Sequence, residues 1–165
     1  MLSNFPRALS LALVCFALAG CTVHLIMDYD PVLDQSITTA QSQTETFLSQ
    51  LDSEAGTPAA AYSANTTFYV TMEAELRTLQ TRAQSEPKSS IVVKQVTELQ
   101  GSFTDLQNLH KLDGDKGLGH LEITTARSGL ESEFLSMLTL QLALKNRLNT
   151  QRPRPWRRRS ATRVS

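Results

Sequence analysis

Four long stretches of this chain repeat their apolar side chains in alternating steps of four and three residues, the spacing that gathers them onto one face of a helix. Leu33, Ile37, Ala40, Thr44, Phe47 and Leu51 make the first stripe. Tyr62, Tyr69, Met72, Leu76, Leu79 and Ala83 make the second, and Val92, Val96, Leu99, Phe103, Leu106 and His110 the third. The fourth runs through Ile123, Leu130, Phe134, Met137, Leu144 and Leu148, and Leu135, Leu138 and Leu142 widen it beyond a two-stranded seam. A composition rich in Leu, Ala, Gln, Thr and Ser, with few aromatics and little glycine, favours helices over a sheet sandwich.

Punctuation between the stripes agrees with that reading. Asp30-Pro31 supplies an N-cap and a proline at the first helical position, where the missing N–H costs nothing. The first helix should stop near Ala55-Gly56, Thr57-Pro58 repeats the start signal, and Ser85-Glu86-Pro87 stops the second helix. Gly101 costs the third helix roughly 1 kcal/mol relative to alanine without ending it. The run from Asp113 to Gly119 reads as a turn, and a fourth helix follows from about His120 to Thr150. Short connections make successive helices antiparallel, so the expected fold is all-α, an up-down bundle of about four helices. An extended helical hairpin that completes its core by dimerising satisfies the same heptad-like spacing.

The N-terminus carries a different signal. Arg7 precedes the apolar run Ala8–Ala17, which is followed by Leu18-Ala19-Gly20-Cys21. A positive flank, an apolar segment short for a bilayer span and small residues at a cut site are the grammar of an exported, cleaved leader. This segment resembles the lipobox signal of bacterial lipoproteins. The resemblance implies cleavage after Gly20 and diacylation of the Cys21 sulfur followed by acylation of its amine. One acyl chain binds a membrane weakly, while two or three make a durable anchor. Thr22 rather than aspartate after the cysteine resembles the pattern routed to the outer membrane in a Gram-negative cell. The competing reading is an uncleaved transmembrane helix from Ala8 to Met27, long enough to span. With Cys15 in the leader and Cys21 under lipid, the mature chain has no thiol left for a disulfide, and its stability has to come from packing.

The domain plan is therefore a signal peptide over 1–20, a lipidated tether over 21–29, a helical bundle over 30–151 and an Arg/Pro-rich tail over 152–165. At this length the mature chain is one domain, able to bury about two thirds of the surface its unfolded form exposes. Its formal net charge of zero hides an asymmetry. Between Cys21 and Gln151 nine basic residues face sixteen acidic ones, an excess of seven negative charges, while the tail holds six arginines and no acid. Pro153 and Pro155 keep that tail from continuing a helix, and the reading is a disordered segment. Arg152, Arg154, Arg157, Arg158 and Arg159, with Trp156 at the interface, suit an anionic surface such as lipid headgroups or lipopolysaccharide phosphates, at about 1 kcal/mol per basic residue. A solubilising extension without a target explains the same composition. Nucleic acid is not an expected partner, because export removes the chain from the cytosol.

Tyr29-Asp30 followed by Asp34, the pair Phe68-Tyr69, Leu76 through Arg82-Ala83, Pro87-Lys88 and the Leu-rich last helix together resemble a group of small helical envelope lipoproteins. No functional residues are defined for that group, so the resemblance implies a helical lipoprotein and transfers no site. Within the chain the densest gathering of chemistry is His110, Asp113, Asp115, His120 and Glu122 around the last turn. Imidazoles and carboxylates are ordinary ligands for zinc or manganese, so a metal- or small-ligand-binding bundle centred there is one alternative function. The spacing fits no EF-hand, since Leu118 and Thr124 stand where Gly and Glu are needed, and a polar, flexible turn with His110 at a helix end is the favoured account. A second alternative is an envelope enzyme such as a cell-wall hydrolase, but no nucleophile elbow, carboxylate dyad or phosphate-cradling loop is present. The leading expectation is a non-enzymatic, membrane-anchored envelope lipoprotein on the periplasmic side, a structural or interaction accessory with no cofactor, partnered by another envelope protein or by itself.

Overall fold

The computed structural model describes residues 26–151; the leader, Cys21 and the arginine tail lie outside them. Four helices follow one another: α1 (Pro31–Glu54), α2 (Tyr62–Ser85), α3 (Ser90–Asp113) and α4 (His120–Gln151), with 3-10 turns at Pro58–Ala60 and Gly114–Lys116. No strand occurs among the described residues. Each helix packs on two neighbours, α1 on α2 and α4, and α3 on α2 and α4, while the diagonal pairs stay apart. Cross-links fix the directions: Asp30 at the start of α1 meets Arg82 at the end of α2, and Asp52 at the end of α1 meets His120 at the start of α4. The fold is the antiparallel four-helix bundle, closed within one chain without a partner's helices.

Asp30 starts α1 as a true N-cap, its side chain accepting from the Val32 amide at 2.9 Å. The first three stripes are buried as their spacing predicts, apart from Tyr62 at the rim. Aromatic rings link all four helices across the core. Phe47 of α1 stacks on Phe68 of α2 at 3.7 Å between centroids, Phe68 reaches Phe103 of α3 at 6.2 Å, and Phe103 meets Phe134 of α4 edge-on at 6.5 Å.

Three expectations are corrected. Thr57-Pro58 opens a 3-10 turn, not a long helix; the Thr57 hydroxyl donates to the Glu54 carbonyl, and α2 starts only at Tyr62. The stretch expected as a tether over 21–29 overlaps the folded part, because Met27 lies in the core and its amide donates to the Lys88 carbonyl at 3.1 Å. On α4 the stripe turns inward at Gln141, which is buried, and Leu138 packs against the core as expected, whereas Leu135 and Leu142 are 65% and 58% exposed and Leu148 is 36% exposed. A helix surrounded by two neighbours offers one buried arc, and Phe134, Met137, Gln141 and Leu144 in four-three steps fill it. Leu135 and Leu142, one residue further round from Phe134 and Gln141, are carried to the solvent side.

Two substitutions one residue apart test this register. Phe134→Ala should lower the unfolding free energy by about 3–5 kcal/mol, as truncation of a buried aromatic does, while Leu135→Ala should stay within about 0.5 kcal/mol of the parent. Urea midpoints of the two variants measure the difference, and equal losses would contradict the assigned faces.

Candidate functional site

The two ends of the bundle carry its polar chemistry. α4 is eight residues longer than its neighbours, and its last turns would stand uncovered without the segment ahead of α1. That segment straps them. Arg147 near the end of α4 donates to the Met27 carbonyl at 2.7 Å and reaches the Asp28 carboxylate at 3.1 Å. Lys145 lies over the Tyr29 ring at 5.5 Å from its centroid, and the Tyr29 hydroxyl donates to Asp34 at 2.7 Å.

Asp30 is the hub of this end. Beyond capping α1, its carboxylate receives Nε of Arg82 at 2.5 Å and Nη2 at 2.9 Å, a bidentate fork across two helices. That fork, with the Val32 and Leu33 amides, holds the Asp30 carboxyl below the ordinary carboxylate range despite its burial. The same contact raises Arg82, which is charged in any case. The sequence shows Asp30 as a cap but not its pairing with Arg82. An arginine fifty-two positions away becomes its neighbour only when the helices pair.

At the opposite end sits a buried relay. His110, fully enclosed, has both ring nitrogens engaged, Nδ1 with the Tyr69 hydroxyl at 2.8 Å and Nε2 with the Ala60 carbonyl at 2.7 Å. A carbonyl only accepts, so Nε2 carries a proton and donates it. Burial, with a smaller contribution from Tyr62, pushes the Tyr69 phenol far above its ordinary range, so it remains a hydroxyl and donates to Nδ1. The break between the 3-10 turn and α2 frees the Ala60 carbonyl for this role. Gly117 closes over the same carbonyl: its φ is +65°, and a Cβ there would lie 2.1 Å from the Ala60 oxygen.

These contacts dismantle the expected metal cluster. His110 has no free nitrogen. His120 is paired with Asp52 at 2.6 Å on the surface, Glu122 accepts from the Gly119 amide at 2.8 Å, and Asp115 is exposed on the 3-10 turn. Asp113 is half-buried and its Oδ2 has no partner. Among the described residues no three His, Cys, Asp or Glu side chains are placed to hold a metal ion. The five residues share a stretch of sequence but not a centre, because α3 turns His110 into the core, Asp115 and His120 are exposed, and Glu122 is engaged by the Gly119 amide.

Cys21 with Leu18, Ala19 and Gly20, and the basic set Arg152, Arg154, Trp156, Arg157, Arg158 and Arg159, fall outside the described residues. No described helix is long and apolar enough to cross a membrane. Comparison with known proteins finds no matching family model, curated protein or solved structure.

Acid should unfold the bundle partly through Asp30. Its carboxyl titrates lower in the folded chain than in the unfolded one, so its contribution is complete above about pH 4 and is lost as pH falls through the folded value. Asp30→Asn should lower the melting temperature at pH 7 and flatten its decline below pH 4; an unchanged slope would remove Asp30 from this role. At the far end, Gly117→Ala should destabilise the chain, because the strained φ and the Ala60 carbonyl both oppose a side chain. Gly101→Ala, in open space on α3, should stabilise it by up to about 1 kcal/mol. Differential scanning calorimetry of the pair reads the opposite signs.

Proposed function

We propose that this chain is a lipid-anchored lipoprotein of a bacterial envelope, facing the periplasm, whose bundle serves as a structural or protein-interaction accessory. Cys21 is the anchor, the outer faces of the helices are the contact surface, and the arginine tail is an electrostatic clamp on anionic lipid or lipopolysaccharide phosphates. In a two-membrane envelope, Thr22 favours the outer membrane as the site of anchorage.

One observation carries the reading: both functional termini leave the bundle from the same end. An even number of antiparallel helices returns the chain to where it began, and Arg147 of α4 holds the Met27 carbonyl there. Cys21 stands only six residues before Met27, so the acylated sulfur is within about 20 Å of the folded domain even at full extension. The arginines begin one residue after Gln151, at that same end. An anchor and a basic tail on one end press against one surface, and their attractions add, since the tail is held at high effective concentration beside the headgroups.

Fractionation of cells tests it. The Cys21→Ser chain should move from the membrane to the soluble fraction on alkaline extraction and keep its helical circular dichroism. Retention in the membrane would favour a leader that remains as a membrane helix and overturn the lipid-anchor reading. In the acylated chain, replacing the arginines at 152, 154, 157, 158 and 159 with glutamine should shorten residence on vesicles containing anionic lipid and leave residence on zwitterionic vesicles unchanged.

A further inference from the structure

Each seam of the bundle is bridged by polar pairs. Across α1 and α4 run Arg127–Glu45 and Asp52–His120, across α2 and α3 Gln80–Thr97 and Gln107–Tyr62, and across α3 and α4 Ser102–Glu133 and Gln95–Ser136. The α1–α2 seam, crossed by the Asp30–Arg82 fork and the Gln43–Glu75 hydrogen bond, 3.1 Å, also holds a groove of about 880 Å³ that starts at the fork. It extends about 18 Å along α2, from Val70 to Arg82, at 1.5 Å per residue.

The groove is wide because its walls are short, and two of its four hydroxyls, on Ser36 and Thr78, are spent on their own helices. Ala40 and Ala74 offer only methyls. Ser36 and Thr78 donate to the Val32 and Ala74 carbonyls of their own helices, both at 2.9 Å, so Thr78 leaves a methyl to face outward. Val32 and Val70 stand at the rims, 49% and 66% exposed. Of the charged groups, Arg82 stands at one end and Glu75 part-way along the wall, and both are already engaged. A site with this shape satisfies an occupant that is slender, apolar and needs no hydrogen bond, which describes an acyl chain better than a peptide, whose backbone would be left unpaired.

We infer that the α1–α2 groove receives one of the acyl chains carried on Cys21, a conclusion that rests on the lipid-anchor reading above. Position selects this source. The groove opens at Pro31 and Val32, four residues beyond Met27, and the Cys21 sulfur is tethered within about 20 Å of that end. The smaller groove between α3 and α4, about 440 Å³ beside Leu106 and Leu121, lies at the opposite end of the bundle. With one chain docked and the others in the bilayer, the end of the bundle that carries both termini is held against the membrane, and the exposed Leu135 and Leu142 of α4 are left on the outer face for a partner.

The test uses the whole chain in its own membrane. Cells supplied with a long-chain fatty acid bearing a diazirine are irradiated, and crosslinked peptides are mapped by mass spectrometry. Peptides joined through the Cys21 lipid to residues 32–40 or 70–79 are expected, and filling the groove with Ala74→Trp, or separately Thr71→Trp, should lower their yield at least tenfold while the circular dichroism is kept. Phospholipid adducts in the groove in place of Cys21-linked ones would make a membrane lipid the occupant and overturn the inference. So would Cys21-linked products confined to lipid or to α3 and α4, or yields unchanged by both tryptophans. A Cys21 peptide without acyl mass would fail the anchor reading itself, a result visible on that peptide alone.

Discussion

Burial of four apolar stripes against one another, with no covalent brace, is the constraint from which the rest of this structure follows. Each buried leucine, isoleucine, phenylalanine or methionine contributes about 1.5–3 kcal/mol when taken from water, and a helix has only one arc on which to gather them. Two helices can cover a narrow seam, but stripes including Leu33, Met72, Leu99 and Phe134 close completely only when four helices surround them. With no cysteine between residues 26 and 151, the bundle has no disulfide to tie its ends, and the remaining order is supplied by polar contacts placed where the stripes run out.

Those contacts divide the labour between the ends. At the N-terminal end the strap Met27–Asp30 covers the overhang of α4, and Asp30 serves two helices with one carboxylate, capping α1 and gripping Arg82 of α2. At the other end a buried histidine joins three elements, Tyr69 on α2, His110 on α3 and Ala60 in the 3-10 turn, and Gly117 allows the two connections to touch. The first end is exposed and charged. The second encloses His110 and carries the Asp52–His120 pair on its surface.

Much of this was legible from residue spacing because a helical face is a local property. Leu33 through Leu51, and Val92 through His110, are buried as their rhythm requires, and Asp30-Pro31 starts a helix because its cap and proline act on their own backbone. Legibility failed where a neighbour decided. Leu135 and Leu142 look like core by composition, and Gln141 looks like surface, yet the arc left open by α1 and α3 places them the other way round. A polar residue falling on the four-three positions was the available signal, for Gln141 as for His110. The gathering of His110, Asp113, Asp115, His120 and Glu122 suggested a centre because nearness along the chain was taken for nearness in space, and the end of α3 separates them.

Sequence alone settles that the chain makes four amphipathic helices, where most of them begin and end, and that an acidic body is followed by a run of arginines, because periodicity, capping and charge are all written within a few residues. Only the tertiary structure decides that the four helices surround one core within the chain, that Asp30 finds Arg82 and Tyr69 finds His110, and that the α1–α2 seam holds a groove. Those outcomes depend on which residues become neighbours across tens of positions. That is determined by how side chains of particular sizes fill a shared interior, and no local pattern encodes it.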